Sequence, residues 1–334
     1  MLRFIIRRFI FLVFVLIGIS LFLFVIMYTL PGDPAKTAAG VHAKPEQVES
    51  VRRQLGLDKP IHMQYLTYVQ NVFKGNLGIS ALTRKPVISE LKTYLPATLE
   101  LVLSAMIFIV MIAFPLGVLS ALKPGKLADN GSRLFAALGM GMPVFWVGLI
   151  AQLIFYGKLG VLPFGGRLTP GVTPPIHVTG FYTIDSLLMR DIPLFGDSIW
   201  HLILPAFVLA LPEIAVISRL LQCSMLDVLN QDYIRTARSK GLNEKRIIGS
   251  HAMKNAILVP VTMLGIQLGM LLGGTLLVES VFSWGGLGFF VYHGIQASDF
   301  PVVMGTTMIV TVIFVLSNLV VDILYGYLDP RIIY

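Results

Sequence analysis

The stretch DYIRTARSKGLNEKR, residues 232–246, holds seven charged residues in fifteen positions. The chain as a whole is only 13% charged and 55% hydrophobic over 334 residues, with a mean hydropathy of +0.79. That composition is too apolar for an ordinary soluble domain and points to an integral membrane protein. The charged stretch is therefore an island, and its flanks decide the fold. Uncharged runs occupy residues 9–32, 101–122, 134–157, 255–278 and 300–321. Each meets the roughly 20 residues needed to cross a bilayer as a helix. A sixth segment, 198–221, is interrupted by Pro205, Pro212, Glu213 and Arg219. It is read as a span because the loops on both sides require one. No alternating pattern of a barrel type is present. The expectation is an all-α polytopic membrane protein with six transmembrane helices.

The first run follows Arg3, Arg7 and Arg8. It is longer than the apolar region of a signal peptide and is read as a retained span. Lysine and arginine set the orientation. With the N-terminus inside, fourteen fall on the inner side: Arg3, Arg7, Arg8, Lys123, Lys126, Arg133, seven between Arg219 and Lys254, and Arg331. The short outer loops hold only Lys158, Arg167 and Arg190. Both termini are thus expected in the cytoplasm, together with the charged island. The basic balance reflects orientation and is not a nucleic-acid signal. Three parts follow: residues 1–32 as N-terminal segment and first span, 33–97 as an outer helical segment, and 98–334 as a five-span core with an inner loop at 222–257.

The outer segment is punctuated for two short helices. KPEQVESVRRQLG opens on Pro45 and stops at Gly56, with Val48, Val51 and Leu55 at helical spacing. PIHMQYLTYVQNVFKG repeats the plan between Pro60 and Gly75. Residues 158–197, rich in proline and glycine, read as turns. In the inner loop, Met225, Leu226, Val228, Leu229, Tyr233, Ile234 and Ala237 recur at spacings of three and four, which predicts one helix face running to Gly241. Asn243 caps a second short helix. Two readings of this helix–turn–helix stand: a connector attracted to anionic lipid, or a plug whose apolar anchors enter a groove on another protein.

No catalytic pattern emerges. The chain lacks G-x-x-x-x-G-K-[ST], H-E-x-x-H, C-x-x-C and G-x-S-x-G, and its single cysteine, Cys223, permits no internal disulfide. It is expected to be no enzyme and to hold no cofactor or metal. Ionisable groups in or near spans are the remaining functional candidates. Glu213 faces a wet cavity or lies near the interface. Glu279, followed by Ser283 and Trp284, closes the fifth span. Asp322 and Asp329 lie at the inner end of the last. Gly265, Gly269 and Gly273 form a groove for a helix of this chain or of a second subunit. Glu279, Ser283, Trp284, Gly269 and Gly273 are the candidate lining of a translocation path.

The island and its continuation, DYIRTARSKGLNEKRIIGSHAMKNAILVP, resemble the EAA loop of ABC importer permeases of the dipeptide, oligopeptide and nickel branch. LPGDPA (30–35), QLGLDKP (54–60), YLPATLEL (94–101), TGFYTIDSLL (179–188), VESVFSWGGLG (278–288), SDFPVVMG (298–305) and DILYGYLDPRI (322–332) are similar to that branch in the same order. The resemblance covers nearly the whole chain. It implies a type I importer permease fold in a bacterial or archaeal cytoplasmic membrane. The implied partners are a second permease subunit, two ABC ATPases that bind ATP and Mg, and an extracytoplasmic binding protein. It further implies that Asp232, Tyr233, Arg235, Thr236, Ala237, Lys240, Gly241 and Glu244 form the coupling region docked on an ATPase. Peptides are the expected substrate. Nickel or another small solute is the alternative within the branch, and an ATP-independent transporter or channel the alternative outside it.

Overall fold

The computed structural model describes residues 2–29, 33–40, 43–54 and 56–328. Leu55, Asp329 and Arg331 lie outside the described residues. The uncharged runs become helices because a backbone in lipid must satisfy its own polar groups. α1 (Leu2–Thr29), α5 (Val87–Leu122), α9 (Ile192–Leu229), α13 (Leu258–Val281) and α15 (Phe300–Leu328) are the long ones. Four of them, α5, α9, α13 and α15, are long and apolar enough by length and composition to cross a membrane. α1 carries an apolar stretch over Ile10–Ile26. The only β pairing among the described residues is the isolated bridge Ile79–Pro86. The protein is an all-α membrane protein.

α9 is the central helix. It packs along α5, α6 (Leu127–Gly141), α13 and α7 (Val144–Ala151). Its buried side includes Leu204, Ala206, Val208, Leu209, Ile214 and Ile217, which join Leu101, Ala105 and Ile109 of α5 in the main core. Close approach of α5 and α9 depends on Gly117. A Cβ there would stand 2.7 Å from the Ser218 carbonyl oxygen and 2.9 Å from Leu221 Cβ. Small residues of this kind let membrane helices touch through their backbones.

Four differences from the sequence reading have physical reasons. α5 begins at Val87, well before the uncharged run, and continues through Pro96. The 97/98 boundary therefore falls inside a helix. Run 134–157 is two pieces, α6 and α7, separated at Met142–Pro143, with a wider-wound turn over Gln152–Lys158 after α7. Pro143 has no N–H to give, and it restricts Met142 to extended backbone. α9 stops at Leu229, and α10 (Asp232–Ser239) begins after Gln231 in extended conformation. The expected single helix to Gly241 is therefore a helix, a break and a second helix. Residues 281–299, read only as a loop, contain α14 (Leu287–Gln296).

In the outer segment, α3 (Pro45–Gln54) and α4 (Ile61–Phe73) form where the proline and glycine punctuation placed them, preceded by α2 (Pro34–Ala39). α4 leans on α1: Tyr65 Oη lies 2.9 Å from Ser20 Oγ, and its ring meets Phe24 edge-on.

Candidate functional site

The charged island folds into a tight, well-anchored corner at one end of the bundle. Asp232 opens α10, and its carbonyl accepts from the Thr236 hydroxyl at 3.0 Å. Ile234 and Ala237 are buried in a second core with Leu221, Met225, Ile247, Ala252 and Ala256. The helix then closes in two crossed bonds. Gly241 N–H donates to the Arg238 carbonyl (2.9 Å) and Leu242 N–H to the Ala237 carbonyl (3.3 Å). Gly241 sits at φ +75°, the left-handed conformation this closure needs. Leu242 packs on the same second core. Asn243 Oδ1 accepts from Lys245 N–H at 3.0 Å and starts α11 (Glu244–Arg246). Arg238 Nε reaches across the corner to Glu244 Oε1 at 2.8 Å. The chain then passes through a wide turn, Ile247–Ala252, and α12 (Met253–Ala256) into α13. Asn255 Nδ2 of α12 donates to Tyr233 Oη at 2.8 Å.

This geometry corrects the reading of the apolar stripe. Ile234 and Ala237 face inward, so they hold α10 on α9 and do not present anchors to another molecule. What the corner shows to solvent is Asp232, Tyr233, Arg235, Thr236, Lys240, Gly241, Glu244, Lys245 and Arg246. Arg235 and Asp232 meet only at 3.4 Å with both side chains well exposed, and such a pair contributes little. The available surface is cationic and donor-rich, stiffened from beneath by an apolar core.

At the opposite end, Glu279 and Trp284 are buried, not exposed along a path. Glu279 Oε1 accepts from Thr98 Oγ1 (2.6 Å) and Oε2 from Phe289 N–H (3.0 Å). Thr98 Oγ1 in turn accepts from Leu287 N–H (2.7 Å), and Trp284 Nε1 donates to the Ala97 carbonyl (2.8 Å). Together these bonds clamp the turn between α13 and α14 onto α5. Ser283 is exposed at φ +49° within that turn. Gly269 is filled by Phe314 of α15: a Cβ there would stand 2.5 Å from Phe314 Cδ2. Gly273 faces open space. The five path candidates thus divide. Gly273 and Ser283 are open, whereas Glu279, Trp284 and Gly269 are packing and joint residues.

Three polar residues that sequence reasoning passed over complete the clamp. Arg167 donates to Glu100 Oε2 (2.7 Å) and the Gly180 carbonyl (2.9 Å) and lies 3.4 Å over the Tyr182 ring. Glu100 Oε1 accepts from Thr183 N–H and hydroxyl at 2.8 and 2.7 Å. Gln152 Nε2 donates to the Phe164 and Val281 carbonyls. Asp185, at α8 (Tyr182–Leu188), accepts from Thr179 N–H and hydroxyl and from Gly180 N–H. Burial pushes its carboxyl up, but these hydrogen bonds outweigh that and hold it below the usual carboxylate range. Among the described residues, no group of three or more His, Cys, Asp or Glu is placed to hold a metal.

A bundle built around α9, a cationic corner at one end and a hydrogen-bonded clamp at the other set the frame for comparison. Residues 113–334 match the model of the binding-protein-dependent transport system inner membrane component, and residues 1–102 match that family's N-terminal membrane component. The probable D,D-dipeptide transport system permease protein of Escherichia coli is 45% identical over 321 residues, covering 96% of this chain and 94% of the relative. The dipeptide transport system permease protein of Alkalihalophilus pseudofirmus is 42% identical over 334 residues and the whole of both chains. The oligopeptide transport system permease protein of Bacillus subtilis is 38% identical over 335 residues, again end to end. The chain therefore belongs to the family of inner-membrane components of binding-protein-dependent transport systems, the permeases of ABC importers.

Proposed function

We propose that this chain is a permease subunit of an ATP-driven importer of di- or oligopeptides. The observation that carries the reading is the end-to-end likeness, 42% over 334 residues, to a dipeptide transport system permease. The likeness spans the outer segment and the inner corner alike. In this reading the chain crosses the membrane six times, with α6 and α7 as one interrupted span and both termini in the cytoplasm. Its functional parts are residues 1–32, 33–97 and 98–334, the last boundary lying within α5, which runs from the outer segment into the core.

The corner at 232–246, within loop 222–257, is the coupling site. Tyr233, Arg235, Thr236, Lys240, Gly241 and Glu244 meet an ATPase subunit, and Ala237 holds the corner to α9. Complementary charge sets register and encounter rate in such a contact, and the second core beneath transmits the ATPase movement to α9 and α5. A second permease subunit completes the pathway, with Gly273 and Ser283 among its lining, and a binding protein delivers peptide from outside. Reconstituted vesicles holding the chain and its partner subunits should take up radiolabelled dialanine only with ATP inside the ATPase compartment. Uptake that persists without ATP would replace this reading with a gradient-driven carrier. Uptake of nickel but not of dialanine would move the substrate class.

A further inference from the structure

Between His201 and Asp227, Glu213 is the one acidic side chain of α9 and Arg219 the one basic side chain. Its depth can be read from packing. Gly117 touches Ser218 and Leu221, and Lys123, the first charge beyond the α5 span, lies six residues further on. At about 1.5 Å per residue, Glu213 stands roughly 16 Å from the level of Lys123, near the middle of a hydrocarbon layer about 30 Å thick. Its Oε2 is buried without a hydrogen-bond partner among the described residues. The residue as a whole is half-buried, and so are Val216 and Leu220, which share its helix face one and two turns away. Deeply buried Leu209 completes that face.

An acid at this depth requires a counter-charge or donor. The uncharged runs of the other spans offer no basic side chain. Arg219 is six residues along the helix, about 9 Å further toward the inner end and on another face. Among the described residues, then, Glu213 Oε2 has no counter-charge. We propose that Glu213 is a mid-membrane subsite that takes the ammonium group of the transported peptide as it passes. The inference rests on the peptide-import reading, since every unmodified peptide carries that group to this depth. A half-buried carboxylate whose Oε2 is buried without a partner suits a transient cation, which must bind well enough to enter and weakly enough to leave.

The test uses the complete transporter, with binding protein and ATPases, in vesicles. Radiolabelled dialanine, lysyl-lysine and glutamyl-glutamate are followed for the wild type, Glu213→Gln and Glu213→Asp. Glu213→Asp is expected to retain uptake within about threefold. Glu213→Gln is expected to lose about tenfold or more, the factor that corresponds to one lost charge contact. The loss should be of similar size for all three peptides, which share the N-terminal ammonium, with the subunits still co-purifying. Three results overturn the inference: wild-type uptake by Glu213→Gln, a loss confined to lysyl-lysine, which would make the side chain and not the shared ammonium the group recognised, or release of the second permease subunit, which would make the counter-charge a protein side chain. A wild-type complex that moves no peptide at all overturns the peptide reading itself, and is seen before any variant is made.

Discussion

Ala237 and Arg235 stand two residues apart on α10 and have opposite work. Ala237 is 8% exposed and packed in the second core. Arginine in its place would bury a charge or push α10 off α9, so Ala237→Arg should lower the melting temperature of the purified protein as well as its transport. Arg235 is exposed, and its substitution should change stability by no more than about 0.5 kcal/mol. Arg235→Glu is expected to reduce co-purification of ATPase subunits while the melting temperature stays put. Equal ATPase recovery from both proteins would remove Arg235 from the interface. Glu279 makes a third residue-scale case. Both of its oxygens accept, and glutamine offers only one acceptor. Glu279→Gln therefore sets an N–H against the Thr98 hydroxyl or the Phe289 N–H, and should cost about 1–3 kcal/mol, read as a lower midpoint in thermal unfolding. Glu279 was legible as a candidate because a lone acid ended an apolar run. Its partners were not, because Thr98 and Phe289 come from other elements and no local spacing connects them. Arg167, Glu100 and Gln152 went unread for the same reason.

Elements divide along similar lines. α3 and α4 were legible because proline opens and glycine closes each. The end of α10 was legible because Gly241 supplies the left-handed closure. The break at Gln231 was not, since the apolar spacing runs through it and neither glycine nor proline marks it. The interruption of α6 and α7 was visible in Pro143 but masked by an uncharged run long enough for one span. α5 was read short because Glu90, Lys92 and Glu100 interrupt the apolar run that the helix nevertheless continues through. The closure at Gly241 can be tested directly. Gly241→Ala keeps the N–H but strains φ, at a cost of about 1 kcal/mol. Gly241→Pro also removes the donor to Arg238 and cannot adopt φ +75°, so it should dismantle the corner and abolish ATP-driven uptake. A proline variant with normal uptake would separate the corner from coupling. The cradle at Asp185 predicts a pH response. Its carboxyl is held below its ordinary value, so its stabilising share is complete above the unfolded value near 3.9 and is lost as pH falls through the folded value. Protease cleavage within residues 165–181 should be flat from about pH 5 to 8 and rise only in stronger acid, whereas Asp185→Asn should be cleaved faster throughout.

At the scale of the whole molecule, two polar ends are separated by a bundle whose interior is almost free of charge. The clamp at Glu279, Thr98 and Trp284 fixes α13 and α14 on α5. The corner at 232–246 is fixed on α9, and α5 and α9 share a close backbone contact at Gly117. A force applied to the corner therefore has a continuous packed route to the clamp, through α9 and α5, with Pro115 of α5 the point on that route where the helix can bend. That division of labour depends on the two ends facing opposite compartments, which the lysine and arginine asymmetry predicts. The chain's one cysteine, Cys223, is exposed near the corner, so a Cys223→Ser background allows single new thiols to report sidedness. In sealed right-side-out vesicles, a membrane-impermeant maleimide should label Gln296→Cys, exposed on α14 beside the clamp, and leave Tyr233→Cys untouched until the membrane is opened. Inverted vesicles should give the reverse. Labelling of both positions from one side would require an odd number of crossings between them to be abandoned, and with it the six-span topology and the placement of the coupling corner beneath the membrane.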